Sequence, residues 1–311
     1  MTSEAAAATL VVGATGQVGL QMVKALEVRG RSALPTARAA KDGWLQLDLS
    51  ELGSEAQAAA MLDEHVFDAV LCVGGMTHVD GCESEPDLAY RVNARGPAVL
   101  AGYARRRGLP FVFFSTDYVF DGLKDNSGPY AEDAPPNPLS VYGRSKWMGE
   151  REVLEAHPDA LVVRTTVVYG PDDRQKNYLY SLMRNLTTGT PMRAPEDQIS
   201  TPTYNRDLAQ ATLGLVDAGA SGVFHVAGPE LLDRLEFAQR IAAALGLDES
   251  LLRGVSTAEL GQAAARPLWS GLSTEKLTSL YPQLRMRSLA ESLKDCEAEL
   301  KAFLCEQTRA E

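Results

Sequence analysis

Short apolar runs alternate with amphipathic stretches through the first half of this 311-residue chain, and this alternation constrains its fold more than any other feature. Such alternation is typical of a parallel sheet with helices on both faces, because each crossover between parallel strands needs a connection of helical length. Six segments have the character of strands: residues 9–12, 33–34, 44–47, 68–73, 111–115 and 160–164. Three segments have helical periodicity: residues 17–29, 87–107 and 139–157. The sequence therefore predicts a doubly wound α/β fold with a parallel sheet of at least six strands.

A glycine-rich turn joins the first strand to the first helix, in the run Gly13-Ala-Thr-Gly16-Gln-Val-Gly19. Gly13 permits a tight turn, Gly16 lets the backbone approach a pyrophosphate, and Gly19 lets the helix pack closely on the strand. The N–H groups and the dipole of the helix N-terminus then face the anion. The spacing is one residue longer than the G-x-G-x-x-G fingerprint. It predicts a dinucleotide site at residues 13–19, with contacts from Gly13, Thr15, Gly16, Gln17, Val18 and Gly19.

The end of the second strand indicates which dinucleotide binds. Pro35 is expected to end this strand, because proline lacks the N–H that a sheet ladder uses. Arg38 follows shortly after, and the next acidic residue is Asp42. NAD-binding chains place an acidic residue here to hold the ribose hydroxyls, whereas arginine suits the 2′-phosphate of NADP. Arg38 therefore favours NADP (NADPH), with NAD as the alternative; a surface arginine without a ligand is the competing interpretation.

A tyrosine and a lysine four residues apart, Tyr142 and Lys146, share one face of the third predicted helix. A nearby ammonium favours a phenolate, so we expect Lys146 to lower the pKa of Tyr142 and make it an acid or base near neutral pH. The Thr116 hydroxyl, directly after the strand at 111–115, is expected to hold a substrate carbonyl beside the phenol. The competing interpretation is an ordinary solvated helix pair, and the upstream glycine turn argues against it.

The second half of the chain lacks the regular alternation. The elements expected there are helices at 177–186, 205–218, 235–245 and 289–303 and a strand at 223–226. We predict a dinucleotide-binding Rossmann domain over residues 1–170 and a smaller, mainly substrate-binding C-terminal region over residues 171–311. A segment at about 205–228 is expected to return to the Rossmann domain.

Charge and residue usage exclude several classes of function. The chain has 30 basic and 41 acidic residues, a formal charge of −11, which argues against nucleic-acid binding because that needs a basic surface. Its apolar runs are far shorter than the roughly 18–20 residues of a membrane span, so no membrane association is expected. Its four histidines and four cysteines lack metal-ligand spacing, so no metal is expected. The first residues lack a basic stretch typical of a secretory signal, which favours a cytoplasmic location.

The chain resembles the extended short-chain dehydrogenase/reductases and, within them, the dTDP-4-dehydrorhamnose reductase family. Five stretches in about the first 210 residues carry the resemblance: 13–19, 79–83, 115–122, 138–146 and 197–203. The run Ser-Thr-Asp-Tyr-Val-Phe-Asp-Gly at 115–122 is the most specific of them. The resemblance implies an NAD(P)H-dependent oxidoreductase of dTDP-rhamnose biosynthesis type, which reduces the 4-ketone of a nucleotide-linked 6-deoxysugar.

The same resemblance implies roles for particular residues. Thr116, Tyr142 and Lys146 would form the catalytic triad, with Tyr142 as the proton donor. Asp117 and Asn177 would join Thr116 in contacting the sugar. Tyr142 and Lys146 would also contact the cofactor, and the other cofactor contacts expected are Asp48, Leu49, Gly74, Gly75 and Ser115.

Two positions depart from the family pattern and keep other functions open. Val167 stands where these reductases usually carry a tryptophan that contacts the sugar, and Met76 stands where the family has small residues. The regulatory β subunit of methionine adenosyltransferase, which belongs to the same subfamily, also lacks that tryptophan and binds NADP as a partner protein. The alternatives are therefore a non-catalytic NADP-binding regulatory subunit or another sugar-nucleotide enzyme such as an epimerase. The partners expected are a nucleotide-sugar substrate and, as a possible assembly, a homodimer.

Overall fold

A parallel seven-stranded sheet forms the centre of the protein in a computed structural model, which describes residues 7–123 and 129–309. Residues 1–6, on which the expectation about a secretory signal depends, lie outside the described residues. The first six strands are β1 (Ala8–Val12), β2 (Ala33–Ala37), β3 (Leu45–Gln46), β4 (Phe67–Cys72), β5 (Phe111–Thr116) and β6 (Leu161–Thr165). The seventh, Gly222–His225, pairs with β6 at one edge, and the order continues β5, β4, β1, β2 and β3. The predicted doubly wound α/β fold is confirmed.

Strand order reverses at β1, and this reversal locates the site. The chain runs outward from β1 to β2 and β3, then returns to place β4 on the other side of β1. Ligands of open α/β sheets bind in the crevice at such a switch point, beyond the carboxyl ends of the strands. The backbone segments that follow β1 and β4 lie very close together here. A Cβ added to Gly13 would fall only 2.4 Å from the Gly74 Cα.

Helices cover both faces of the sheet. Those between the strands are α1 (Gln17–Val28), α2 (Glu55–Leu62), α3 (Val79–Ser84), α4 (Pro86–Tyr90), α5 (Gly96–Arg106) and α6 (Val141–Ala156). Alternate residues of each strand enter opposite cores: Phe111 and Phe113 pack toward α5 and α6, whereas Val112 and Phe114 pack toward α1. Burial on both faces explains why these strands have continuous apolar sequences.

The expectation that Pro35 ends the second strand was wrong. The strand β2 continues through Pro35 to Ala37. Ala14 N donates to Thr36 O, whereas Leu47 N donates to Ala37 O, so alternate residues of β2 face β1 and β3. The nitrogen of Pro35 therefore faces the β3 side, and β3 begins only opposite Thr36. No ladder bond is lost, and the proline is tolerated.

Two predicted helices differ in detail. The segment predicted as one helix at 87–107 is α4, a π-helical turn at Arg91–Arg95, and α5. The segment predicted at 289–303 is two helices, α11 (Leu289–Asp295) and α12 (Glu297–Arg309). Buried apolar residues keep helical spacing across that break, so periodicity gives no sign of it. The break lies at Cys296, which is fully buried between the two helices.

The second half forms a smaller core and also contributes to the large sheet. Its other helices are α7 (Tyr178–Thr187), α8 (Asn205–Asp217), α9 (Arg234–Leu245) and α10 (Glu275–Leu280). Helices α7, α9, α11 and α12 share one apolar cluster. Helix α8 packs on α1, and Leu277 of α10 enters the core beside the strand Gly222–His225. No helix in the described ranges is long and apolar enough to cross a membrane.

Candidate active site

A cavity of about 820 Å³ opens at the carboxyl ends of β1, β4, β5 and β6. It lies at the switch point of the sheet and is lined by segments that the sequence places far apart. The predicted residues that line it are Gly13, Thr15, Gly16, Gln17, Val18, Gly19, Arg38, Asp48, Leu49, Gly74, Gly75, Ser115, Thr116, Asp117, Tyr142 and Lys146. The structure therefore brings all but one of the predicted residues, Asn177, to a single cavity.

The glycine turn leaves the N-terminus of α1 open to this cavity. Gly13 has φ of +80°, a conformation that side chains disfavour. A Cβ on Gly19 would fall 2.5 Å from the Gly13 carbonyl oxygen, so only glycine lets α1 approach β1 this closely. Gly16 caps the helix with extended backbone, and within the described structure no side chain occupies its capping position. The amide groups of the first helical turn are therefore free to bind an anion.

The turn is tied to β2, the strand that leads to Arg38. Thr36 Oγ1 accepts from Gly13 N at 3.2 Å, and Thr36 O accepts from Ala14 N at 3.0 Å. Arg38, two residues later, lines the cavity. The nearby carboxylate of Asp48 accepts from the amide and the hydroxyl of Ser50 at 2.9 and 2.8 Å. Asp48 thus caps its own turn, while Arg38 supplies a cation at this end of the cavity.

Asn93 is a site-supporting residue that sequence reasoning missed. It is fully buried within the π-helical turn. Its Oδ1 accepts from Met76 N at 2.8 Å, and its Nδ2 donates to Met76 O at 3.0 Å and to Ser145 Oγ at 2.9 Å. Asn93 therefore fixes the glycine loop after β4 against α6. Nothing in the helical periodicity of this segment reveals a π turn or the direction of the amide.

The end of β5 presents three buried polar residues to the cavity. Thr116 Oγ1 donates to Asp117 Oδ1 at 3.0 Å and accepts from Tyr118 N at 3.2 Å. Asp117 is 2% exposed, and its Oδ2 accepts the Ser270 hydroxyl at 2.5 Å. Burial raises the pKa of Asp117, and its hydrogen bonds, that from Ser270 first among them, oppose the change. The second half of the chain therefore touches the site directly.

Tyr142 lies in the first turn of α6, and its environment corrects the expectation about its pKa. Ser140 caps the helix by accepting from Gly143 N at 3.1 Å. The Tyr142 ring packs edge-on against Tyr118, with centroids 5.5 Å apart. Burial raises the pKa of Tyr142 above its ordinary value, although a hydrogen bond with Thr116 opposes this rise. The spacing of Tyr142 and Lys146 did not reveal this burial, which keeps the phenol protonated at neutral pH.

Lys146 lies one turn further along α6. Its Nζ lies 4.1 Å from the centroid of the Phe113 ring, and the residue is 5% exposed. Burial lowers the pKa of Lys146 to about 8, so the side chain is mainly an ammonium at pH 7. The site therefore combines a protonated phenol with a cation, an arrangement suited to giving a proton to a carbonyl oxygen.

Asn177 does not line the cavity, and its expected role as a substrate contact stays a prediction. Its Nδ2 donates to Gly170 O at 2.8 Å, and its Oδ1 accepts from Tyr180 N at 3.3 Å. The Asn177 Oδ1 therefore caps α7, and its Nδ2 holds the preceding loop. Arg174 and Arg234 line the cavity instead. They follow loops without a recognisable motif, so no sequence signal identified them.

Val167 occupies the position at which the expected tryptophan is missing, and its backbone is strained. Its φ of +43° lies in the left-handed region, which β-branched residues rarely adopt. Such conformations cost about 1–3 kcal/mol and concentrate at functional sites. Val167 lines the cavity beside Thr166. The strained turn directly after β6 therefore forms part of the cavity wall.

Comparison with known proteins gives consistent matches over nearly the whole chain. The family described as the RmlD substrate binding domain matches residues 7–302. The dTDP-4-dehydrorhamnose reductase of Mycobacterium tuberculosis is 37% identical over 289 residues, 90% of each protein. The probable low-salt glycan biosynthesis reductase Agl14 of Haloferax volcanii is 34% identical over 271 residues, 86% of this chain and 90% of that protein. The crystal structure of dTDP-4-dehydrorhamnose reductase from Bacillus anthracis in complex with NADP has a TM-score of 0.85 and 30% identity, covering 95% of this chain and 100% of that one.

Proposed function

This chain belongs to the RmlD substrate binding domain family, and from that membership we propose that it reduces a nucleotide-linked 4-keto-6-deoxysugar with NADPH. One observation carries the proposal: Thr116, Tyr142 and Lys146 line the same cavity as the glycine turn, and the phenol is protonated. A reductase must give a proton to the alkoxide that hydride transfer creates. A protonated tyrosine at this position supplies it.

The cofactor end of the cavity fits a phosphorylated dinucleotide. The open N-terminus of α1 suits the pyrophosphate, and a longer side chain at Gly16 would occupy that approach. Arg38 supplies a cation for the 2′-phosphate of NADP, while Asp48 is engaged in its own turn. Lys146 would hold the cofactor ribose. When bound, NADPH supplies the hydride.

Residues at the end of β5 and the start of α6 would bind the substrate ketone and protonate its oxygen. The Thr116 hydroxyl, which donates to Asp117 in the free protein, would turn to donate to the carbonyl oxygen and hold it beside Tyr142. As hydride reaches C4, negative charge develops on that oxygen, and Tyr142 would transfer its phenolic proton to form the product hydroxyl. The Lys146 ammonium would stabilise the phenolate left behind. Asp117, next to Thr116, would accept a sugar hydroxyl.

Two cavity-lining arginines from the second half of the chain suit the diphosphate of a nucleotide sugar. Arg234 is the first residue of α9, and its guanidinium lies 5.8 Å from the Tyr178 ring centroid. Arg174 also lines the cavity, with its Nε 3.6 Å from the Asp172 carboxylate. Guanidinium groups bind phosphate oxygens with paired hydrogen bonds. We assign the substrate diphosphate to these two arginines.

We expect the two halves of the chain to bind different ligands. Residues 1–170 would bind the cofactor, and residues 171–311 would mainly bind the substrate, with residues 205–228 belonging to the cofactor domain. The homodimer and the cytoplasmic location stay predictions, which light scattering of the purified protein and cell fractionation would test.

The test of the proposed function is turnover. Purified protein is mixed with NADPH and a panel of dTDP-, UDP- and GDP-linked 4-keto-6-deoxysugars, and loss of reduced cofactor and formation of the hydroxyl product are followed by absorbance and mass spectrometry. We expect reduction of at least one dTDP-sugar. NADPH binding without turnover of any sugar would contradict the proposal and favour the regulatory alternative. Interconversion of sugars without net oxidation of NADPH would favour an epimerase.

A further inference from the structure

A buried ion pair lies directly behind the site. The Glu150 carboxylate accepts from Arg164 Nε at 2.8 Å and from Arg164 Nη2 at 2.7 Å, and the two side chains are 5% and 4% exposed. Glu150 Oε1 also accepts the Ser115 hydroxyl at 2.5 Å. The desolvation of a buried ion pair often exceeds its attraction, so such a pair is weak evidence for stabilisation. Because Glu150 also binds Ser115, which lines the cavity, the ion pair is expected to support the site as well as the fold.

The guanidinium of Arg164 is held from its other side. Its Nη1 donates to Glu132 O at 3.2 Å and lies 3.4 Å from His225 Nε2. Burial, together with the charge of Arg164, lowers the pKa of His225 to about 3. The imidazole is therefore neutral, with Nδ1–H donating to Ser273 O at 3.1 Å and Nε2 accepting from Arg164. These contacts clamp the guanidinium, which in turn fixes the Glu150 carboxylate.

Glu150 lies one helical turn after Lys146, on the face of α6 that meets β5. Two thiols also face Lys146, Cys72 from β4 and Cys82 from α3. Burial raises their pKa values to about 12 and about 11, so both thiols are neutral at pH 7. Of the described titratable groups that act on Lys146, only Glu150 is negatively charged. Its carboxylate raises the pKa of Lys146 against the larger effect of burial.

We propose that Glu150, clamped by Arg164, is a positioning residue of the cofactor site: it anchors Ser115 and keeps the Lys146 side chain in its ammonium form. The inference deepens the proposed function, because Lys146 is the residue assigned there to the cofactor ribose. Glu150 itself does not line the cavity and acts through its two neighbours.

The test is a pH titration of Lys146 in the cofactor-free protein, by NMR of 13C-labelled lysine side chains, with Lys146→Arg used to assign its signal. We expect a midpoint near 8 in the wild type. Glu150→Gln keeps the shape but loses the charge, and it should lower the midpoint by about one pH unit. The matched control is Asp207→Asn, which removes a 5% exposed carboxylate paired with Arg287 elsewhere in the protein. This control should leave the Lys146 midpoint unchanged.

Further variants keep the proposal falsifiable if Glu150→Gln does not fold. Glu150→Gln combined with Arg164→Met leaves no unpaired charge and should also lower the midpoint, by less than Glu150→Gln alone, because the lost guanidinium is itself a cation that disfavours the ammonium. Glu150→Asp retains the charge and should restore a midpoint close to that of the wild type. A Lys146 midpoint equal to that of the wild type in any folded variant without the Glu150 charge would overturn the proposal.

Cofactor binding gives a second readout, independent of turnover. The Kd for NADPH in Glu150→Gln should match that of the wild type at pH 6. At pH 8 it should be about five-fold weaker than in the wild type, because about half of Lys146 is then charged in the wild type and about a tenth in the variant. Equal pH dependence in both proteins would contradict the proposal. Neither experiment contains a sugar, so failure of the proposed reductase activity would leave both results interpretable.

Discussion

Ser270 donates its hydroxyl to the carboxylate of the cavity residue Asp117 at 2.5 Å. This hydrogen bond joins two residues that are 153 positions apart in the sequence. The neighbouring backbone continues the contact, since Trp269 N donates to Gly122 O at 3.2 Å. Ser270 lies in the second half of the chain, yet it holds the carboxylate that we assign to the sugar. The substrate space is therefore completed by the C-terminal part of the chain.

Removing this contact should affect the sugar and spare the cofactor. Ser270→Ala leaves a buried carboxylate oxygen without its donor, which costs about 1–3 kcal/mol. We expect kcat/KM for the nucleotide sugar to fall about ten-fold, with an unchanged Kd for NADPH. Ser250→Ala, which removes a similar hydroxyl from the exposed Asp248, is the control and should change neither quantity. A parallel loss of NADPH affinity in Ser270→Ala would assign Asp117 to the cofactor instead.

Arg38→Ala tests whether Arg38 makes the protein prefer NADPH over NADH. Loss of a phosphate contact should weaken NADPH binding by about 1–3 kcal/mol and leave NADH binding nearly unchanged. Isothermal titration with both cofactors measures the two affinities. Lys41→Ala, on the same loop but outside the cavity lining, should have little effect on either. Equal losses for NADPH and NADH would show that Arg38 does not contact the 2′-phosphate.

Gly16→Val should abolish cofactor binding without unfolding the protein. A Cβ at Gly16 meets the Gly13 carbonyl oxygen at 3.3 Å, a tight contact that a small backbone shift relieves, so we expect the variant to fold. The rest of the valine side chain would occupy the pyrophosphate approach. Fluorescence titration with NADPH measures the loss, and Gly53→Val, at an exposed position, serves as control. Wild-type affinity for NADPH in a folded Gly16→Val protein would show that the glycine turn does not bind the cofactor.

His225 should make the protein less stable in acid. Its pKa is lowered from 6.5 to about 3 on folding, so the unfolded chain binds the extra proton between these values. Stability is therefore lost as pH falls below about 6.5, and His225 should account for about 2 kcal/mol of the loss between pH 7 and pH 5. Urea unfolding of His225→Gln should show a loss smaller by about that amount. An identical loss in both proteins would contradict a neutral buried imidazole.

Features within one element were predictable from the sequence. The glycine turn occupies one strand–turn–helix unit, whose geometry follows from local backbone rules, and Tyr142 and Lys146 occupy one helix, where a spacing of four fixes a shared face. The parallel sheet followed from the regular alternation of segments. In each case a short stretch of chain determines the arrangement.

Features that depend on tertiary packing were not predictable. The rise in the Tyr142 pKa depends on how much of the phenol is buried, which spacing does not reveal. The contact between Ser270 and Asp117 depends on irregular loops that have no periodic pattern. The sequence did not show that β2 could continue through Pro35. This is possible only because the neighbouring strand β3 begins opposite Thr36, beyond the proline.

Tyr142→Phe tests the central claim most directly, because it removes the phenolic proton and keeps the ring. General acid catalysis contributes about 10²–10⁴-fold, so kcat for a nucleotide-linked 4-keto-sugar should fall by that factor while the Kd for NADPH stays the same. Single-turnover and steady-state assays of the folded variant measure both. Reduction of the sugar by Tyr142→Phe at the wild-type rate would show that Tyr142 is not the proton donor.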